Sequence, residues 1–456
     1  MRALFTGAAA LLLSGCVQGP APLPSNPPDI PEGWTAAAAL TAADAGIPDA
    51  WWLDLGDDGL AQVLDEAGDT ADTRIAAARI AEADAFLQTA RSNLLPGLTI
   101  GANGGTQKNG DSPARQDSAD ARLGFDWNPD VSGGNAARAA AALSQRDAAV
   151  LELSAKRIAV RNVAARLYFT RQEARRQAAN TAATVSSLAE SLALARSRES
   201  AGLASALDVA QAEAALAAAQ AIAPRFAAAE TSATRGLETL LGRPPGTLDR
   251  DVDHSVTTLR ASQARLLFPA EVLARRPDVA AAEKLLAAAG FDVAAARADF
   301  YPRLRIGAAI GAQRVSAPTP FQDSGLIANA IGSLSAPILQ RGQLRAGLEA
   351  ASARQRVAVE THRQSIITAL NEVEISSALY RGADAAAERS AAAVRAAELQ
   401  LQLARARYRA GANSFLEVIV AEQDLLAARR ALITADADAS RALAALYAAM
   451  GLGGAA

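Results

Sequence analysis

At 456 residues the chain has material for two or three domains, but Ala dominates, aromatics are 4% and there are two histidines. Alanine is the best helix former and fills little volume, so long, closely packed helices are expected rather than bulky globular cores. A net charge of −3 excludes a nucleic-acid arm or a broadly basic surface, and the basic residues are nearly all Arg, with Lys only at Lys108, Lys156 and Lys284.

Arg2 supplies a short positive region, and Ala3 to Leu13 form an apolar stretch too short to span a membrane as a stable helix. Leu13-Ser14-Gly15-Cys16 follows and resembles a bacterial lipobox. That resemblance implies a signal peptide over 1–15 and a diacylated thiol on Cys16, the covalent lipid being the only cofactor expected. Val17, rather than Asp, follows the cysteine, which in enterobacterial sorting implies the outer membrane. Two or three acyl chains anchor stably where one does not. Cys16 is the only cysteine, so no intrachain disulfide is expected. Residues 16–50 read as anchor and tether, with the tract PAPLPSNPPDIP from Pro20 to Pro31 extended and PPII-like.

Beyond the tether the chain is written twice. Ser92 to Gly101 returns as Ala298 to Gly307, with Pro96 matched by Pro302, an offset of 206. Gly134 returns as Gly342 at an offset of 208, and Gly202 and Gly242 return as Gly411 and Gly451 at 209. A period near 200 is too long for a solenoid, whose units run about 20–50 residues, so this is a duplicated half-protein. The halves are taken as 51–255 and 256–456.

In each half, helical spacing from about 62 to 92, or 270 to 299, leads into period-two segments at about 97–107 and 119–128, or 303–313 and 326–336. Leu123, Phe125 and Trp127 alternate with Arg122, Gly124 and Asp126, for example. One apolar and one charged face over about ten residues suits a transmembrane β-strand, and on periodicity alone equally a half-buried soluble strand. The export signal, and Phe125, Trp127, Phe300 and Tyr301 at strand ends, favour the membrane. Four strands cannot close a barrel; three copies would supply about twelve, which suggests a homotrimer.

Next come about 67 residues without Pro, from 134 to 200, or about 100 Å of helix. The return over 204–240 is only about 37 residues, and the shortfall is close to the length of the helix ahead of the strands. The second half repeats this over 343–410 and 414–450. Each long helix can therefore lie beside two stacked short ones, a rod leading from the barrel. Val150, Leu153, Val160, Val163 and Leu167, and Val359, Ile366, Leu370, Val373 and Tyr380, run at three- and four-residue steps or their sums as coiled-coil-like seams.

Trp51-Trp52 with Leu55, Asp57 and Leu60 resembles the N-terminal signature of outer-membrane efflux lipoproteins of the NodT type, relatives of TolC and OprM. Arg275-Arg276-Pro277-Asp278-Val279, and Ala294 through Pro302 with its Phe300-Tyr301-Pro302 ending, resemble further family stretches, and the resemblance spans about 51 to 451. It implies a TolC-like trimer: a twelve-stranded outer-membrane barrel continuous with a periplasmic α-helical barrel. A periplasmic adaptor and an inner-membrane pump of the RND class would feed it.

Ala201-Gly202-Leu203 and Ala410-Gly411-Ala412 match the family's helix-tip turns, which implies that Gly202, Leu203 and Gly411 touch the adaptor. A tip glycine also supplies the left-handed residue that ends a helix. Ser205-x-x-Asp208 and Ser414-x-x-Glu417 both fit a capping box, with Ser205 and Ser414 as caps. The resemblance also places Asp208 and Glu417 at the periplasmic aperture, with Tyr408; capping and pore lining are compatible. Three copies would put six carboxylates around one closure, favouring cations and able to bind divalent ions. The chain departs from TolC in that Asn413 stands where an aperture arginine would be and Val420 where a further aspartate would be, so a TolC-style salt-bridge latch is not expected, although Tyr408 with Glu417 could still constrict.

No catalytic constellation emerges, and no enzyme is expected: there is no HExxH and no CxxC, and no Walker lysine follows the Gly-rich 101–105. His254 and His362 read as solvated surface residues. The leading expectation is a passive small-molecule efflux duct; a type I protein-secretion duct and a non-conducting lipid-anchored coiled-coil scaffold stand as alternatives.

Overall fold

The computed structural model describes residues 28–35, 41–42, 47–108, 115–248, 264–316 and 324–454. Cys16, the signal segment and His254 lie outside them. In chain order the elements are β1 (Thr41–Ala42), a 3-10 turn (Trp51–Leu55), α1 (Asp58–Glu66), α2 (Ala71–Ser92), β2 (Gly97–Lys108), β3 (Arg115–Trp127), α3 (Gly134–Ser200) and α4 (Ala206–Leu241). The second half gives β4 (Arg265–Leu266), α5 (Pro269–Arg275), α6 (Pro277–Ala298), β5 (Arg303–Ser316), β6 (Ser324–Ser335), α7 (Arg341–Arg409) and α8 (Phe415–Ala449).

The short helices differ from expectation. The stretch from 62 to 92 is two helices, not one, because the chain turns at Ala67–Thr70. A Cβ on Gly68 there would lie 2.8 Å from the Arg161 guanidinium, so any side chain would have to displace that group. The stretch from 270 to 299 also breaks. Arg276 is extended (φ −73, ψ 113) because Pro277 disfavours helical geometry in the residue before it. The long helices are unbroken: α3 has 67 residues and α7 has 69. Val163 is a correction of another kind, since it is 44% exposed and so lies off the buried seam that Val160 and Val373 occupy.

The chain divides into two compact units, each drawn from both repeats. The first holds 78–150 and 280–364. Its sheet runs β2-β3-β5-β6, antiparallel throughout, so the two repeats join at the central β3–β5 pair and β2 and β6 are left as edges. Register aligns Ile100 with Leu123, Leu123 with Ile310 and Ile310 with Ala328. This face is apolar and bare: Ile100 is 88% and Leu326 78% exposed. On the other face Arg305 Nε donates to Asp126 at 2.7 Å, and Arg122 pairs with Asp120 at 2.8 Å.

The second unit holds 28–77, 151–279 and 365–454. Its main core gathers Trp51, Trp52, Leu60 and Leu64 with Tyr168 of α3, Leu237 of α4, Val373 and Tyr380 of α7, and Leu446 and Tyr447 of α8. Trp51 meets Tyr447 at 5.2 Å, and Arg161 lies over Trp52 at 5.1 Å while donating to the Gly453 carbonyl. The later part of the expected tether is therefore docked rather than free. Trp34 Nε1 donates to the Leu267 carbonyl, Thr35 donates to Glu374, and β1 pairs with β4. Arg276 neutralises Asp278 and Glu372 at 2.6 Å each and donates to the Ala449 carbonyl at the end of α8, where positive charge is favoured.

Candidate functional site: the helix tips and aperture residues

α3 ends where Gly202 turns left-handed, φ 70, and Leu203 N–H donates back to the Arg198 carbonyl at 2.7 Å. Glycine adopts that φ without the Cβ clash other residues meet. α4 then opens on Ser205, whose Oγ accepts from Asp208 N–H at 3.3 Å while Asp208 Oδ2 accepts from Ser205 N–H at 3.0 Å. Both halves of the capping box are present.

The second tip keeps the turn and loses the box. Gly411 has φ 71, and Ala412 N–H donates to the Arg407 carbonyl at 2.9 Å. Ser414 occupies the N-cap position of α8, but its side chain makes no capping bond. The expected Ser414–Glu417 box is not formed; Glu417 Oε2 instead accepts from Asn413 Nδ2 at 2.8 Å.

Tyr408 is an interior residue of the tip, 5% exposed. Its ring packs on Phe415 at 5.1 Å and carries the Arg198 guanidinium at 4.7 Å. Burial pushes its phenol up; Arg198 opposes the shift and the Asp208 charge adds to it. Around it Leu188, Leu192, Leu401, Ile419 and Leu425 form a second core. Leu203 and Leu207 are 68% and 64% exposed.

One polar cluster was not foreseen. Glu422 is 3% exposed, and its Oε1 accepts from Arg405 at 2.6 Å and from Ser191 at 2.8 Å. The sequence held a signal: Val418, Ile419, Glu422 and Leu425 share one helical stripe, and a charge inside an apolar stripe needs a buried partner. Among the described residues no three His, Cys, Asp or Glu side chains come together as a metal site. No helix there is long and apolar enough to cross a membrane.

The family model for the outer membrane efflux protein matches residues 69–243 and 268–452. The chain belongs to this family. Its two matched segments are the two repeats. The chain is 31% identical to the pyoverdine export outer membrane protein OpmQ of Pseudomonas aeruginosa, over 99% of this chain and 97% of that one. Nodulation protein T of Rhizobium leguminosarum bv. viciae is 27% identical over 93% of this chain and 88% of its own. Among solved structures, the outer-membrane channel OprN superposes with a TM-score of 0.86 at 26% identity, covering 96% of this chain and 99% of that one. The MtrE channel of Neisseria gonorrhoeae, at 24% identity and a TM-score of 0.80 over 93% of this chain and 98% of its own, shares the fold. This efflux protein is thus an outer-membrane channel component with a TolC-like fold.

Proposed function

We propose that three copies of this chain close one twelve-stranded barrel and form a passive exit duct for small molecules. One observation carries the reading: a four-stranded sheet with an apolar face, a charged face and two open edges, β2 and β6. Four strands cannot close on themselves, and an edge left in lipid exposes backbone groups that nothing there satisfies. Pairing β2 of one copy with β6 of the next removes every edge at once.

In this reading a periplasmic adaptor docks on the tips, at Gly202, Leu203 and Gly411, with the exposed Leu203 and Leu207 as its apolar footing. An inner-membrane transporter of the RND class supplies the energy, and the chain itself carries out no catalytic step. Asp208 and Glu417 face the aperture, and Cys16 carries the lipid that adds a second hold on the outer membrane. OpmQ is named for pyoverdine export, and CusC of Escherichia coli for cation efflux, so cargo differs among relatives and none is assigned here.

Purified protein in planar bilayers tests the duct. Stepwise conductance from an assembly of three chains is expected; trimers that never conduct, even with Asp208→Ala and Glu417→Ala combined, would overturn it.

A further inference from the structure

Several arginines of the first unit are neutralised within the chain. Arg122 pairs with Asp120, Arg305 with Asp126, and Arg138 and Arg303 share Asp299. Four others are not. Arg91, Arg297, Arg341 and Arg345 are exposed, and their side chains make no ion pair among the described residues. Their positions follow the strand ends. Arg91 lies six residues ahead of β2 and Arg297 six ahead of β5, in the last turns of α2 and α6; Arg341 lies six residues beyond β6 and opens α7. Positive charge is favourable at a helix C-terminus, so Arg91 and Arg297 have a local reason to be there. Arg341 has none: it stands at the positive end of α7, in a first turn that holds no acid. Its counter-charge has to come from outside the chain.

What lies beside these arginines is apolar. Trp127 stands on the apolar face at the end of β3, and its Nε1 donates to the Leu94 carbonyl at 3.2 Å, which ties the α2–β2 corner to that side of the sheet. Leu95 in this corner is exposed, and so is Tyr301 in the matching α6–β5 corner. Past β6, Ile338 and Leu339 are also bare, Leu339 being 97% exposed, directly ahead of Arg341. We propose that the four arginines form a collar that binds the headgroups of anionic phospholipid in the periplasmic leaflet of the outer membrane. The proposal rests on the barrel reading, which sets the apolar face in lipid and its helix end at that leaflet. Exposed apolar side chains next to arginines suit such an interface, with the apolar groups in acyl carbon and the guanidinium at phosphate. A guanidinium fork meets two phosphate oxygens at once, and each basic group near an anionic surface strengthens binding about fivefold. Phosphatidylglycerol is then preferred to phosphatidylethanolamine, whose own ammonium already neutralises its phosphate.

The test is native mass spectrometry of full-chain trimers taken from bilayers of equal phosphatidylethanolamine and phosphatidylglycerol. Wild-type trimers should retain phosphatidylglycerol in excess, and raised salt should weaken that excess. Arg341→Gln with Arg345→Gln, and separately Arg91→Gln with Arg297→Gln, should each lower it by about fivefold per arginine. Arg122→Gln, whose partner is Asp120, should leave it unchanged. Where a Gln pair does not assemble, the salt series on the wild type decides, and an excess indifferent to salt overturns the collar. So does an excess of the same size in both assembled Gln pairs. Trimers that conduct but show no lipid preference overturn the collar and leave the duct standing; chains that form no trimer in the bilayer overturn both.

Discussion

Gly311 is the most exacting position in the sheet. It stands opposite Arg122 where the two repeats join. A Cβ there would lie 2.3 Å from the Ala121 carbonyl oxygen and 2.9 Å from the Arg122 Cα, both backbone atoms. An ordinary C···O contact is about 3.3 Å or more, so Gly311→Ala must push β3 and β5 apart by about 1 Å. Ladder bonds near 2.9 Å then stretch beyond about 3.5 Å, where they no longer count as bonds. Loss of one or two, in lipid that offers no substitute partner, costs about 2–4 kcal/mol. Gly307→Ala is the control, on the same strand and face, because its Cβ would meet the Phe125 carbonyl oxygen at an ordinary 3.8 Å. Both variants are refolded into liposomes across a urea series, and the barrel is read from the heat-dependent band shift in SDS gels. Gly311→Ala should lose its midpoint stability and Gly307→Ala should not. Equal midpoints, within about 0.5 kcal/mol, would refute the close-packed cross-repeat pairing.

Three other expectations concern the helical region. Glu238 is 1% exposed and accepts from Gly246 N–H at 2.8 Å, Leu248 N–H at 3.0 Å and Arg235 at 2.6 Å. Glu238→Gln sets an amide donor against one of these donors and should cost about 1–3 kcal/mol in chemical denaturation. Ser205→Ala should destabilise the first turn of α4 by about 1 kcal/mol, whereas Ser414→Ala, which removes no capping bond, should leave α8 unchanged; amide exchange at 206–210 and 415–419 reads both. Burial alone would raise the Asp278 carboxyl, but the hydrogen bond and charge of Arg276 outweigh it and hold it below the usual range. A depressed folded pKa stabilises above the unfolded value of about 3.9 and is lost as pH falls through the folded one. Melting of the wild type should therefore drop on acidification below about pH 4, and the drop should be shallower in Asp278→Asn.

What the sequence disclosed depends on how local each cause is. The long helices are legible because Ala-rich runs of 67 and 69 residues hold no helix-breaking Pro. Alternation marks β2, β3 and β5; β6 is weaker because Ile327 and Ile331 break its polar face. Pro224 does not stop α4, which runs through it at the cost of one backbone bond, in keeping with the return helix expected over 204–240. The joining of β3 to β5 is a long-range pairing, and no local pattern records it. At the tips, Gly202, Gly411 and the Ser205–Asp208 box follow from neighbours a few residues apart. The burial of Tyr408 does not, because it depends on Arg198 arriving from a helix 210 positions away.

The repeats keep the spacing of their turns while the bonds within those turns diverge. Ser205 and Ser414 stand 209 residues apart, on φ/ψ of −93/156 and −75/157, so the backbone of the two caps is nearly the same. One box closes and the other does not, and two local differences accompany this: the acid is Asp208 in one and the longer Glu417 in the other, and Asn413 stands where the first tip has Ala204. An alanine leaves Asp208 free to return to its own cap; an asparagine amide captures Glu417 instead. The two acids therefore have different holds on them. Asp208 has its carboxylate committed to a backbone N–H at the start of a helix. Glu417 is bound to a side-chain amide at an exposed position, where release costs less. In the proposed duct, Glu417 is therefore the more adaptable of the two charges when the aperture changes width, and Asp208 the one that keeps its place.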